Sequence, residues 1–332
     1  MHSLIALLIT VCFIIPLPAY AYEIDKDNLQ GTHEDLTRAA VDRSILRTTP
    51  LLSDLGIDAT KTYKDSEGKS RKLLDLIPAG AAYEDNTPNF LRHFFDPTNN
   101  QGLSAYLVVS GTASPDYILD DDVCSSSPCA HSSFSWKAAR GDFLDALTKP
   151  DQTAREKAWA HMFESLGHIV HHVEDMAQPQ HVRNEPHDPF FKDCEGILAL
   201  DCLRHGALYE AFTNRPEQRA FLSRYFSLLP PVYPQYPDKF TSARSFWKNG
   251  TNAAWGSGLA EFSNHNFVGA HTEFGNDTYA EPRLSGESEV SLAQLCQEHD
   301  VPVCGAFLFQ LLNLSVVTFG HNDVADRLTN SS

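Results

Sequence analysis

The amino-acid sequence predicts an all-α fold, in which one multi-helix domain carries loop excursions and a helical C-terminal extension. In the longest periodic segment, apolar residues recur every three to four positions, which is the spacing of one helix face. Strand-like patterns are sparse, with residues 106–109 as the clearest instance. Because no Gly/Ser-rich or Pro-rich linker divides the chain, a single domain is expected over residues 22–332. The periodic apolar positions are Ala158, Met162, Leu166, Ile169 and Val173.

The first 21 residues predict an export signal. They contain no Asp, Glu, Lys or Arg, and an apolar run over Leu4–Leu17 leads to Ala19-Tyr20-Ala21. This ending is typical of a signal peptide cleaved after Ala21, although the usual positively charged start is absent. A membrane anchor is disfavoured because the run is too short to span a bilayer comfortably. We therefore expect a secreted or periplasmic protein that begins at Tyr22.

Net charge indicates which partners to expect, and the cysteine count predicts disulfides. The formal net charge of -17 argues against binding polyanions through overall charge, although a metal pocket can still attract phosphate locally. In an exported chain, the six cysteines after the signal predict three short-loop disulfides. A thiolate metal site is the alternative, but no pair has the C-x2-C spacing. The pairs are Cys124/Cys129, Cys194/Cys202 and Cys296/Cys304.

The N-terminal third predicts two helices separated by a loop. The first helix covers residues 32–41, with Thr32 as its N-cap and acidic residues in its first turn. Residues 56–72 are polar and predict a loop, and a short helix is expected over residues 71–79.

The middle of the chain predicts a surface excursion followed by two helices. Residues 98–133 form the excursion, and their acidic run at 120–122 predicts a solvated face, with a calcium site as the alternative. A helix is expected over residues 135–147. Asp151 then caps a long helix that runs to about residue 178, where Pro179 ends it because proline has no N–H to donate.

The C-terminal half predicts further helices. One begins at residues 203–212, and helical pieces with Pro-rich connections follow over residues 213–270. The apolar run at residues 304–319 suits a buried core helix better than a membrane span.

A cluster of imidazoles at the end of the long helix carries the functional argument. His168, His171, His172 and Asp175 follow the i, i+3, i+4, i+7 rule, so they share one helix face. The turn at the following proline then presents His181. Imidazole and carboxylate from one face, with a second imidazole folded back, are typical ligands of zinc. The alternative of ordinary surface or core histidines would have to explain four of them in 14 residues.

These residues resemble a known superfamily, the zinc-dependent phospholipases C and the related single-strand-specific nucleases of the P-one type. Residues 171–181 match its H-x3-D-x5-H motif within L-G-x3-H-x3-D-x2-Q-P-x-H. Residues 90–97 are similar to its H-F-Y-D-P segment, and Asp85 lies upstream, as the family's bridging carboxylate does. His33 matches the family's early histidine. The resemblance covers residues 22 to about 215.

The resemblance implies an α-helical enzyme with three zinc ions in a cleft. Asp85 would bridge two closely spaced ions and orient or deprotonate the nucleophilic water. The ligands implied for these ions and the neighbouring set are Asp85, His93, His171, Asp175 and His181.

A third part of the implied ligand set involves residues near the new N-terminus and on a later helix. His33 would bind a zinc ion together with the terminal amine and carbonyl of Tyr22. The family places H-x3-E or H-x3-D on the next helix, whereas His205 and Glu210 are five residues apart here, about 140° around a helix. Glu210 matches the pattern better than His205, and His187 is the substitute for that histidine.

A multi-zinc site of this kind suits phosphodiester hydrolysis, because zinc lowers the pKa of bound water to about 7. We expect a phospholipase C-like enzyme acting on a phospholipid with peripheral membrane contact, and Phe90 is where such enzymes place a headgroup-contacting aromatic residue. A single-strand-specific nuclease acting on nucleic acid is the alternative. A secreted, non-enzymatic zinc-binding protein is the second alternative. No stable protein partner is implied.

Overall fold

The computed structural model is mostly helical in the part of the chain that it describes, which confirms the predicted mainly-α class. Among these residues, no helix is both long enough and apolar enough to cross a membrane. The described residues are 31–85, 89–105, 109–124, 129–185, 213–228, 242–251, 256, 258–267, 289–291, 314–319 and 323–330.

The elements up to residue 119 combine helices with two small hairpins. Of the strand signal at residues 106–109, Val109 lies in a strand of the second hairpin, and residues 106–108 lie outside the described part. Two 3-10 turns, Leu73–Asp75 and Asn89–Arg92, flank helix α4. Helices α1 to α5 are Thr32–Arg43, Ile45–Thr48, Leu51–Asp54, Leu76–Glu84 and Ser114–Leu119. The antiparallel pairs are β1 (Thr62–Lys64) with β2 (Ser70–Lys72) and β3 (Ser104–Ala105) with β4 (Val109–Ser110).

The elements after residue 135 centre on one helix of 24 residues, α7. Helices α6 to α10 are Trp136–Thr148, Gln152–Asp175, Pro179–Val182, Pro216–Leu228 and Leu259–Asn266, with a 3-10 turn at Ala243–Phe246. An antiparallel sheet is formed, in this order, by β5 (Glu289–Ser291), β6 (Leu314–Phe319) and β7 (Asp323–Asn330). Helix α7 packs against α4, α5 and α6, so it is the element on which the described part is built.

Side-chain caps set the start of α6 and α7, and the Asp151 cap of α7 was predicted. The Ser135 side chain accepts a hydrogen bond from the backbone N–H of Ala138 at 3.2 Å. The Asp151 carboxylate accepts one from the N–H of Ala154 at 2.7 Å. Each cap satisfies a donor that the first helical turn leaves without a partner, and such a cap stabilises by about 1 kcal/mol.

Two glycines allow α4 and α7 to cross in close contact. A Cβ atom at Gly167 would lie 2.7 Å from the backbone nitrogen of Ala81 and closer still to the carbonyl oxygen of Ile77. A Cβ atom at Gly80 would likewise clash with the carbonyl group of Glu164. Because any larger residue would push the helices apart, the two glycines fix how near the end of α4 comes to the histidine stripe of α7.

Two apolar clusters lie on either side of this crossing. The first joins α4, α6 and α7 around Phe163, which is 1% exposed, and Leu76, which is fully buried. The second joins α5, the end of α7 and the 3-10 turn at 243–246 around Ile118, Met176 and Trp247. Burying each such side chain contributes about 1.5–3 kcal/mol, so both flanks of the long helix are held.

The hairpin β1–β2 corrects the expectation of a loop over residues 56–72 and of a helix starting at residue 71. Gly68 has φ of 76°, the left-handed conformation that closes the tight turn between the strands. Ser66 in that turn donates to the buried carboxylate of Glu164 through its N–H, at 3.0 Å, and through its hydroxyl. The polar residues are therefore a hairpin docked on α7, which polar composition alone did not indicate.

The ends of two helices also differ from the prediction. Helix α7 ends at Asp175, because the N–H groups of the next three residues turn back to carbonyls three positions earlier. Pro179 does not end this helix; it is the first residue of α8, a position where its missing N–H costs nothing. At the start of α1, Gly31 is the N-cap and Thr32 is the first helical residue. No side chain makes a capping hydrogen bond there.

The predicted helical C-terminal extension is wrong where the structure describes it. Residues 314–319, expected to be helical, form β6 between β5 and β7. The sequence Leu-Ser-Val-Val-Thr-Phe is rich in β-branched side chains, which favour extended backbone. The apolar character of this run was thus a poor guide to its conformation, since short apolar runs suit a strand as well as a helix.

One of the three predicted disulfides falls within the described residues. Cys124 and Cys129 are bonded to each other. The pairs Cys194/Cys202 and Cys296/Cys304 lie outside the described part.

Candidate metal centre

Five segments bring ionisable side chains to one buried point. His33 comes from α1, Asp85 from the end of α4, and His93 follows the 3-10 turn at residues 89–92. His171 and Asp175 come from α7, where their spacing of four places them on one face. His181 comes from α8, which the turn after α7 folds back. All six side chains are buried.

The core of the centre has the spacing of a tetrahedral zinc site. The Asp175 Oδ2 atom lies 3.3 Å from His93 Nδ1 and 3.3 Å from His171 Nε2. These two nitrogens are themselves 3.3 Å apart. Four ligands at 2.0–2.1 Å around a tetrahedral ion are about 3.3–3.4 Å from one another. The three atoms therefore already have the separation that one metal ion requires.

Asp85 lies beside the two histidines of this set. Its Oδ1 atom lies 3.4 Å from His171 Nε2 and 3.8 Å from His93 Nδ1. It also belongs to a second group with His33 and His171, whose ligand atoms all lie within 4.8 Å of one another. Asp85 thus lies between two groups, which is the position expected of a bridging carboxylate.

The second oxygen of Asp175 faces a different set of nitrogens. Oδ1 lies 3.4 Å from His33 Nε2 and 3.6 Å from His181 Nδ1. Since Oδ2 belongs to the first set, one carboxylate can serve two cations. Oδ2 is buried and makes no hydrogen bond within the described part of the chain. A buried carboxylate oxygen without a donor is costly, and a metal ion would remove that cost.

Outer hydrogen bonds orient two of the imidazoles. The His171 ring contacts the Ala81 carbonyl oxygen through Nδ1 at 2.8 Å, so Nδ1 carries the proton and Nε2 offers a lone pair to the centre. The His33 ring contacts the Glu174 carboxylate through Nδ1 at 2.7 Å, and the Thr37 hydroxyl donates to the same carboxylate at 2.9 Å. Glu174 therefore lies where it can orient the His33 ring.

Burial and the neighbouring groups shift the pKa values at the centre in opposite directions. Burial alone raises the pKa of Asp175, but the imidazoles of His171, His181 and His93 hold it well below its usual range. Burial lowers the pKa of His93 to about 4. Burial would also lower the pKa of His33, but hydrogen bonds to Asp175 and Glu174 raise it well above 6.5. The centre therefore combines an ionised carboxylate with a neutral imidazole, which are the forms that bind a metal.

A further buried network adjoins the centre and was not predicted. Glu84, immediately before Asp85, accepts hydrogen bonds from His168 Nδ1 and, at 3.2 Å, from His172 Nε2. Burial raises its pKa, but the hydrogen bonds from His168 and His172 and the nearby His93 imidazole outweigh this and hold the pKa well below its usual range. The histidine stripe of α7 indicated a buried partner, but no local pattern showed that Glu84 was that partner.

Four predicted site residues lie outside the described part of the chain. The structure says nothing of Tyr22, His187, His205 or Glu210. For Phe90, only the backbone is described, within the 3-10 turn at residues 89–92. The sites that these residues were expected to complete remain predictions.

The neighbouring aromatic residues belong to the packing around the centre. Phe94 is 4% exposed and stacks on His181 at a centroid distance of 4.7 Å. Phe95 lies in the second apolar cluster. The Tyr83 hydroxyl hydrogen-bonds to Asp65 and Arg71. None of these three side chains is placed as an exposed platform for a base or a headgroup.

Comparison with known proteins finds no matching family model, no matching curated protein and no matching solved structure. The likeness to zinc-dependent phospholipases C and nucleases therefore rests on the motifs alone.

Proposed function

We propose that this protein is a secreted zinc-dependent phosphodiester hydrolase, of the phospholipase C-like kind. The observation that carries the proposal is the set of His93, His171 and Asp175, whose facing atoms are 3.3 Å apart, with Asp85 beside it. These residues come from three separate segments, and Asp85 Oδ1 lies 3.4 Å from His171 Nε2 and 3.8 Å from His93 Nδ1. A chance grouping of buried histidines would not leave the Asp175 Oδ2 atom among them without a hydrogen-bond donor in the described part of the chain.

The donor types favour zinc over harder cations. Imidazole nitrogen and carboxylate oxygen together suit zinc, whereas calcium and magnesium prefer oxygen-only sets. A structural zinc site is normally a closed cluster of four ligands. Here a second group, His33, Asp85 and His171, shares His171 with the first group, His93, His171 and Asp175, and shared ligands are what a catalytic cluster with more than one ion needs. This arrangement favours the enzyme over the purely structural alternative.

Zinc ions bound at the centre would lower the pKa of water and neutralise the charge of a phosphate group. The chain itself would supply orientation and a proton acceptor. Asp85, next to both groups, would hold the attacking water and take its proton. Hydrolysis would add this oxygen to phosphorus and break the ester bond, and the proton would pass to the departing oxygen. Because the ligands are buried, bulk water would be kept from competing with them for the metal ions.

Metal analysis combined with an assay on a chromogenic phosphodiester tests this proposal. We expect bound zinc and turnover in the purified mature chain, and no turnover in Asp175→Ala. The matched control is Asp145→Ala, which removes an exposed aspartate paired with Lys149 at 3.5 Å and should keep full activity. An active Asp175→Ala variant, or bound zinc without turnover, would contradict the proposal.

The substrate is decided by parallel assays on two natural phosphodiesters. Phosphatidylcholine vesicles should release a phosphorylated headgroup if the enzyme is phospholipase C-like. Cleavage of single-stranded DNA with intact vesicles would assign the nuclease alternative. Both assays use the same zinc-loaded protein, so their ratio is independent of how much of it is active.

A further inference from the structure

A chain of buried hydrogen bonds leads from the second apolar cluster to the metal centre. The Trp247 indole N–H donates to the Ser114 hydroxyl oxygen at 3.2 Å. That oxygen lies 3.0 Å from His172 Nδ1, and His172 Nε2 lies 3.2 Å from Glu84 Oε1. All four side chains are buried, so solvent cannot exchange for any of these partners.

The types of donor and acceptor fix where the protons of this chain lie. An indole nitrogen only donates, so Ser114 accepts from Trp247 and has one proton of its own to give. The Glu84 carboxylate beside His172 Nε2 favours a proton on that nitrogen, which then donates to Glu84. His172 Nδ1 is then unprotonated and accepts the Ser114 proton. With the opposite assignment, an imidazole lone pair would face a carboxylate at 3.2 Å.

Glu84 is consequently an acceptor directed at three imidazoles. It takes hydrogen bonds from His168 and His172, and its Oε1 atom lies 3.8 Å from His93 Nε2. Within the described residues, His93 Nε2 is buried and makes no hydrogen bond. A carboxylate facing this nitrogen favours a proton on it. The other ring nitrogen, Nδ1, is the one that faces Asp175 and His171.

We infer that Glu84 is a positioning residue that holds His93 as the Nε2–H tautomer, so that its Nδ1 lone pair is directed at the metal. The inference rests on the metal centre proposed above. In this role Glu84 is not itself a metal ligand. The side chains of Glu84, His93 and His172 have the spacing of a metal site. However, the nitrogen of His172 that faces this space carries a proton and offers no lone pair to a metal ion.

The test is the metal affinity of three variants measured with cadmium as the probe. Glu84→Gln keeps the shape of the side chain but offers a single acceptor oxygen, and it should weaken binding by about 10–100-fold. Ser114→Ala removes the proton given to His172 and should weaken binding less. Glu164→Gln is the matched control, because Glu164 is an equally buried carboxylate that holds Ser66 and not a ligand. It should bind cadmium as wild type does.

Nitrogen-15 NMR of cadmium-113-loaded protein with labelled histidine supplies a readout that loss of folding alone would not change. Wild-type His93 should show cadmium coupling at Nδ1 and a proton on Nε2, and Glu84→Gln should shift the Nε2–H resonance. Coupling at Nε2 would overturn the inference, as would equal affinities for Glu84→Gln and Glu164→Gln. Protein that binds no cadmium would overturn both proposals, whereas bound metal without turnover would contradict only the proposed activity.

Discussion

The close packing of α4 against α7 helps to orient a residue of the metal centre, and Gly167→Ala tests this coupling. The added Cβ atom would lie 2.7 Å from the nitrogen of Ala81, whereas an ordinary contact needs at least 3.4 Å. The helices must therefore separate by at least about 0.7 Å. The same residue, Ala81, accepts the hydrogen bond from His171 at 2.8 Å. Opening the crossing stretches this bond to about 3.5 Å, beyond the usual limit.

The expected change in the free energy of unfolding combines the destabilising clash with the stabilising effect of alanine in a helix. Inserting a methyl group into a close-packed contact costs about 1–3 kcal/mol, and weakening the buried hydrogen bond costs about 0.5–1.5 kcal/mol more. Replacing glycine by alanine within a helix stabilises the helix by up to about 1 kcal/mol. We expect a net loss of about 1–3 kcal/mol in the free energy of unfolding, together with weaker zinc binding because the His171 ring loses its orientation.

The control is Gly141→Ala on α6, where a Cβ atom meets nothing within 4 Å. Helix propensity alone then operates, and this variant should be more stable than wild type by about 0.5–1 kcal/mol. Urea unfolding of both variants, with and without zinc, measures the difference. If Gly167→Ala were as stable as Gly141→Ala and bound zinc equally well, the proposed coupling between the crossing and the centre would be refuted.

Four further predictions address the centre and its surroundings. Chelation should lower the melting temperature and added zinc should restore it, with about 2.7 kcal/mol of stabilisation at a hundredfold excess over Kd; calorimetry that shows no shift would contradict a metal centre. Because the pKa of His33 is raised in the folded protein, its contribution is complete below about pH 6.5 and is lost as pH rises through the folded value. His33→Gln should therefore destabilise the metal-free protein more at about pH 6 than at about pH 9, and a pH-independent difference in urea unfolding would contradict this. Glu261→Ala leaves the N–H groups of Asn249, Gly250 and Gly256 without their acceptor, so it should cost at least about 2 kcal/mol, and a loss below 0.5 kcal/mol would count against the contact. Reducing Cys124–Cys129, which closes a short loop, should cost about 2 kcal/mol, measured by thermal unfolding with and without reductant.

The sequence predicted those features of the fold that depend on local pattern. The cap of Asp151 was predicted because the capping residue directly precedes its helix. The shared face of His171 and Asp175 followed from helical spacing. The convergence of His33, Asp85 and His93 on that face did not follow from local pattern, and was expected only from the resemblance to a known family.

The features that sequence did not predict depend on tertiary contacts. Glu84 is the last residue of an apolar helix with no periodic signal, and its partners lie 84 and 88 residues away. The docked hairpin depends on Glu164, a residue that looks like an ordinary charged position of a long helix. The strand at residues 314–319 is stabilised by pairing with β5 and β7, and such pairing is invisible in a short apolar run.

Anomalous diffraction at the zinc edge, from crystals of the mature chain, tests the central claim most directly. We predict a strong peak bounded by Asp85, His93, His171 and Asp175, and a second beside His33. Crystals grown with zinc whose maps show no peak within bonding distance of these side chains would contradict the account.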